Sequence, residues 1–127
     1  MDRDGTNLGA GFQQRVMAWL TACFGSSRKS DQQERTHRML EEALELAQAC
    51  GCTLEEADRL VQYVFARAPG AVLQEVGGVM VTVAGLSSAM SVDMAQAAEE
   101  ELARNWARID EIRAKADSRP DDTPLPQ

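Results

Sequence analysis

A chain of 127 residues, 44% hydrophobic and 26% charged, has room for one domain and one core, and its composition is that of a soluble globular protein rather than a disordered or fibrous one. Thirteen basic residues against twenty acidic ones leave a net charge of −7, which argues against electrostatic binding to a nucleic-acid polymer or an anionic membrane while leaving Mg²⁺-carrying ligands compatible. No apolar run is expected to span a membrane, and the start lacks the basic-then-apolar layout of a secretory signal, so the expected compartment is the cytoplasm.

Residues 1–11 are rich in Gly, Asp and Asn and read as a flexible arm. Residues 12–117 read as one helical domain. Phe12, Val16, Trp19, Leu20 and Phe24 recur at helical spacing, and Gly25 followed by two serines closes that element. Asp31 or Ser30 caps a second helix with an apolar stripe through Met39, Leu40, Ala43, Leu44 and Ala47, stopped at Gly51. Thr53 stands three residues before Glu56, the spacing of a capping box, and starts a third helix carrying Leu60, Val61, Val64 and Phe65 up to Pro69-Gly70.

The stretch from Ala71 to Met90 is rich in valine and would suit a strand or a buried helix. Its length without an internal proline decides for a helix, and its near-continuous apolarity predicts a central one. Gly77, Gly78 and Gly85 each weaken a helix by about 1 kcal/mol relative to alanine, so they predict the close approach of another backbone or a ligand. Asp93 caps the last helix, whose stripe runs through Met94, Ala97, Ala98, Leu102, Trp106, Ile109 and Ile112. Residues 118–127 hold three of the four prolines and read as a flexible tail. The expected architecture is an all-α bundle of four to five helices, with more apolar surface than a small monomer covers, hence a homodimer or homotetramer.

Cys23, Cys50 and Cys52 cannot all pair within one chain and read as reduced thiols, with a redox role for Cys50 and Cys52 the weaker alternative.

The chemistry concentrates in carboxylates. Glu41, Glu42 and Glu45 fall within one and a half helical turns, where like charges repel unless neutralised, and a hard divalent cation does this through oxygen ligands. Glu75 lies near the start of the valine-rich helix, where a metal or a basic partner would justify a charge. A solvated acidic face is the other reading for the first three, and an arginine ion pair for Glu75. Arg35 and Arg38 read as ion-pair partners of nearby glutamates, and His37 as a structural histidine rather than a phosphate contact. Trp19, Trp106 and the methionines Met80, Met90 and Met94 read as core or interface. Arg67 falls in a loop with weak reach to a ligand.

Glu41-Glu42-x-x-Glu45, followed by Glu75-Val76-Gly77-Gly78 and then Asn105-x-x-Arg108, resembles the MazG-like all-α nucleoside triphosphate pyrophosphohydrolase superfamily over about Arg35 to Lys115. The first motif is complete, whereas the aspartate position of the superfamily's second motif falls on Gly78. The resemblance implies Mg²⁺ (or Mn²⁺) held by Glu42, Glu45 and Glu75. It implies Glu41 and Glu45 at the reacting water and Asn105, Arg108 and Lys115 at the phosphates. The implied reaction cleaves a (deoxy)nucleoside triphosphate to monophosphate and pyrophosphate. The alternative is a catalytically degenerate nucleotide-binding or oligomer-interaction module. If a metal gathers the carboxylates, Glu42, Glu45 and Glu75 should share one acidic pocket.

Overall fold

The computed structural model describes residues 11–29, 31–118 and 123–125. The described residues form six helices: α1 (Gln13–Lys29), α2 (Gln32–Ala49), α3 (Leu54–Phe65), α4 (Val72–Ala89), α5 (Met94–Ala107) and α6 (Ile109–Ser118). The all-α class holds. The bundle of four to five helices does not, because the last expected helix is split at Arg108, which adopts φ −116° and ψ 23° and closes α5 by donating its N–H to the Asn105 carbonyl three residues back. Its own carbonyl accepts from Ile112 and opens α6. An unbroken apolar stripe crosses the break, so periodicity alone gave no sign of it.

Local chemistry sets the other boundaries. The Asp31 side chain accepts from the Glu34 N–H at 3.2 Å and caps α2. Thr53 and Glu56 complete the capping box of α3, and the Glu56 carboxyl is held below its ordinary range by the Thr53 N–H and hydroxyl. Asp93 accepts from the Gln96 N–H at 2.9 Å and starts α5. Gly25, at φ 73° and ψ −175°, interrupts α1 where the sequence placed its end.

The two eighteen-residue helices end in the same way. At the end of α2, Gly51 takes φ 93° while its N–H reaches the Gln48 carbonyl and the Cys52 N–H reaches that of Ala47. At the end of α4, Ser91 takes φ 57°, its N–H reaches the Ser88 carbonyl, and the Val92 N–H reaches that of Ser87. Both are Schellman closures with a left-handed residue two positions before the next N-cap.

Packing is uneven. Helix α1 lies on α5 and α6, α5 on α6, and α4 on α5. Leu20 and Cys23 of α1, Leu102 of α5 and Ala116 of α6 form the buried apolar centre. Helices α2, α3 and α4 bury no residue. The expectation that α4 is central is therefore corrected: among the described residues its main packing partner is α5, it buries no residue, and Leu73 is 87% exposed. Nothing lies within 4 Å of a Cβ built at Gly77, Gly78 or Gly85, so the close approach expected there is not made within one chain. Helix α4 is also long and apolar enough to cross a membrane, contrary to the expectation that no apolar run approaches that length.

The expected N-terminal arm lies outside the described residues except for Gly11. Of the expected flexible tail, Ser118 ends α6, and the Pro124 carbonyl accepts from the Arg38 guanidinium on α2.

The two closures make opposite predictions. Ser91→Gly should raise stability by about 1 kcal/mol by removing the Cβ penalty at positive φ, whereas Gly51→Ala should lower it by a similar amount. Urea denaturation at fixed protein concentration reads both.

Candidate functional site

The acidic segment of α2 faces two ways. Arg38 bridges Glu41 at 2.7 Å and lies 3.6 Å from Glu34, so the Glu41 carboxylate is already neutralised from one turn back. Arg35 lies 3.6 Å from Glu34 and its guanidinium sits 5.4 Å over the Phe24 ring. The reading of Arg35 and Arg38 as partners of neighbouring glutamates thus holds, and Glu41 is an anchored carboxylate rather than a free one.

Glu42 has no such partner and meets more negative charge. Partial burial, then the charges of Glu45, Glu101 and Glu41, push its carboxyl above the ordinary range, although the side chain still reaches solvent. Glu101 belongs to α5, so its charge reaches Glu42 through space, although α2 and α5 are not among the principal packed helix pairs. Sequence reasoning missed Glu101. Its only sequence signal is a place in the Glu99-Glu100-Glu101 run on the charged face of α5, which does not say which of the three turns toward α2. Glu99 turns the other way, into a two-pronged pair with Arg15 at 2.5 and 2.6 Å, and Glu101 also pairs with Arg104 at 2.5 Å.

Glu75 does not join them. It stands in the first turn of α4, exposed, with its carboxylate folded back so that Oε1 would lie 3.2 Å from a Cβ at Gly70. The Ala71 N-cap offers no side-chain acceptor, so a carboxylate in this first turn meets the positive end of the helix dipole without needing a metal or an arginine. Among the described residues no group of three or more His, Cys, Asp or Glu is placed to hold a metal ion. The expected pocket of Glu42, Glu45 and Glu75 is therefore not formed within the single chain.

The expected phosphate contacts lie along α5 and α6. Asn105 is one turn beyond Glu101 on the same face of α5 and half-buried. Arg108 sits at the α5–α6 break, 3.5 Å from Glu111. Lys115 is exposed in the last turn of α6. Of the three, Asn105 alone shares a helix face with Glu101.

A cleft of about 510 Å³ opens beside the acidic segment, between α2, the start of α3 and the Pro124-Leu125 segment. Leu40, Leu44 and Leu54 give it apolar walls, and His37, Glu41 and Glu45 supply polar groups along one side. Its volume falls in the range of small-molecule sites. Elsewhere Arg67 stacks on Tyr63 at 4.3 Å, Trp19 meets Phe24 edge-on at 6.1 Å, and Trp106 is partly exposed beside Arg15 and Glu99. All three thiols are free; Cys23 is 1% exposed, and burial raises its thiol above the usual range against the opposing charges of Arg113 and Arg35.

No protein-family model matches the chain, and no curated protein or solved structure does.

The upward shift at Glu42 fixes the sign of its effect on stability. The folded chain holds this proton more tightly than the unfolded chain, so the ionised carboxylate destabilises the fold as pH rises from the ordinary carboxylate range through the folded value. Glu42→Gln should raise Tm near neutral pH in metal-free buffer, and the gain should vanish below about pH 4, where the wild-type carboxyl is protonated in both states. Paired thermal melts at the two pH values check it.

Proposed function

We propose that the chain is a Mg²⁺-dependent nucleotide pyrophosphohydrolase, cleaving a (deoxy)nucleoside triphosphate to the monophosphate and pyrophosphate. The observation that carries this reading is an open cleft of nucleotide size with Glu41 and Glu45 on one wall; Glu42 does not line it, but its carboxyl, one residue on, is pushed up by partial burial and by the charges of Glu45, Glu101 and Glu41. Carboxylates gathered within one and a half turns of a helix repel one another, and an oxygen-binding cation relieves that repulsion. The resemblance of Glu41-Glu42-x-x-Glu45 to the MazG-like motif points the same way.

The donor set fits such a cation in part. Glu42 and Glu45, at i and i+3 on α2, would hold it, with Glu101 adjoining; Glu75 enters through the resemblance alone. When bound, Mg²⁺ supplies charge neutralisation on a polyphosphate and an acidified water. The chain's own groups divide the remaining work. Leu40, Leu44 and Leu54 offer apolar surface to a base or sugar, and Glu45 stands at the edge of the cleft where it can hold a water proton. Glu41, fixed by Arg38, orients the segment rather than exchanging protons. Asn105 donates to a phosphate oxygen; Arg108, engaged with Glu111, and Lys115 would have to turn toward the phosphates to join it.

A second reading has its own support. The absence of a three-carboxylate group among the described residues, and the open apolar faces of α3 and α4, favour a degenerate nucleotide-binding or interaction module.

A panel of ribo- and deoxynucleoside triphosphates assayed for pyrophosphate with Mg²⁺ and Mn²⁺ separates the two. The enzyme reading expects release from at least one nucleotide and a drop of roughly a hundredfold or more in Glu45→Gln, the scale of losing an acid-base group. Glu75→Gln should fall equally if Glu75 is a ligand, and should be neutral if the α2–α5 carboxylates suffice. No release from any nucleotide, together with no rise in Tm on adding either cation, leaves the interaction module.

A further inference from the structure

The least satisfied part of the molecule is the apolar surface of α3 and α4. Leu60, Val61, Val64 and Phe65 on α3 and Val72, Leu73, Val76, Val79, Met80 and Val81 on α4 are all exposed, with Phe65 at 81%. Single exposed apolar side chains are ordinary, but ten on two consecutive helices are not, since the largest apolar patch of a stable monomer is about 300–600 Å².

We propose that the α3–α4 face is covered by the same face of a second copy of this chain, in a two-fold symmetric dimer. Three observations favour a second copy over other occupants. Helix α4 holds one ionisable residue, Glu75, in eighteen, whereas the chain as a whole carries −7, so α4 is the surface on which two acidic copies meet with least repulsion. It offers almost no charge for recognising a partner of opposite sign. The pairs Gly77–Ala84 and Gly78–Gly85 repeat at seven residues and flank Val81, giving one side of α4 a shallow surface along which an identical helix can pack closely. A Cβ at any of the three glycines meets nothing within this chain, so their cost to the helix is unexplained until another backbone is there.

A lipid bilayer is the competing occupant, given the length and apolarity of α4. Against it, the patch continues onto α3, whose other side carries Glu55, Glu56, Asp58 and Arg59, and the linker between the two helices is short. The inference does not depend on the catalytic reading, since mass is measured without turnover.

The test is sedimentation velocity of the full 127-residue chain over a wide concentration range, beside Gly78→Ala, Gly85→Ala and Val81→Lys, with flotation on phosphatidylcholine vesicles. The expected result is twice the 13.9 kDa monomer mass, or a larger even multiple, with a Tm that rises with concentration. Val81→Lys should sediment as monomer or lose its cooperative melt, and both Gly→Ala variants should lower Tm or weaken association. Three results would overturn the proposal. The first is a wild-type monomer with a cooperative, concentration-independent melt. The second is co-flotation of the wild type with vesicles. The third is a higher Tm at unchanged mass in both Gly→Ala variants, which is what alanine does in a helix that nothing approaches.

Discussion

Leu20 and Cys23 on α1, Leu102 on α5 and Ala116 on α6 make a small apolar centre, and the mutual packing of α1, α5 and α6 depends on it. It ties the N-terminal helix to the C-terminal pair and so brings together segments nearly the full chain apart. The Arg15–Glu99 pair lies beside this contact, but both groups are exposed, so it selects a register more than it stabilises one. With α5 held in this way, the charge of Glu101 is one of those that raise the Glu42 carboxyl, after burial and Glu45.

What the sequence revealed was local. Asp31, Thr53 with Glu56, Gly51 and Asp93 act within a turn of their own positions, and each marks a helix boundary whatever the rest of the chain does. Ser91 shows the limit of that reasoning: it holds the same left-handed position as Gly51, yet a serine does not announce it. The break at Arg108 was hidden for a related reason, since the apolar residues that pack α5 and α6 keep their spacing across it. Burial was misjudged on α4, because apolarity says which residues avoid water and not whether one chain has enough mass to cover them.

The candidate site was half legible. The spacing of Glu41, Glu42 and Glu45 gave a repelling group, and the roles within it separate only in three dimensions: Arg38 quenches Glu41, while Glu42 turns toward α5. Glu101 and the Pro124-Leu125 wall of the cleft are contributions from distant segments, and no local pattern links them to α2. Glu75 was placed in the site because a charge in an apolar helix appeared to need a partner. Its position in the first turn, after an N-cap without a capping side chain, gives it a reason to be there that involves neither metal nor arginine.

Gly78 joins the two arguments. It lies three residues after Glu75, at the position where the MazG-like superfamily places an aspartate, and a side chain there would stand in open space in the single chain. Steric exclusion within the chain therefore does not account for the glycine, and helix propensity opposes it. An aspartate would add a second negative charge to the helix that the dimer proposal buries, and each copy would carry one, so the cost would be doubled by symmetry. A glycine removes that charge and lets two backbones approach. On this view the missing aspartate is less a lost ligand than a gained contact.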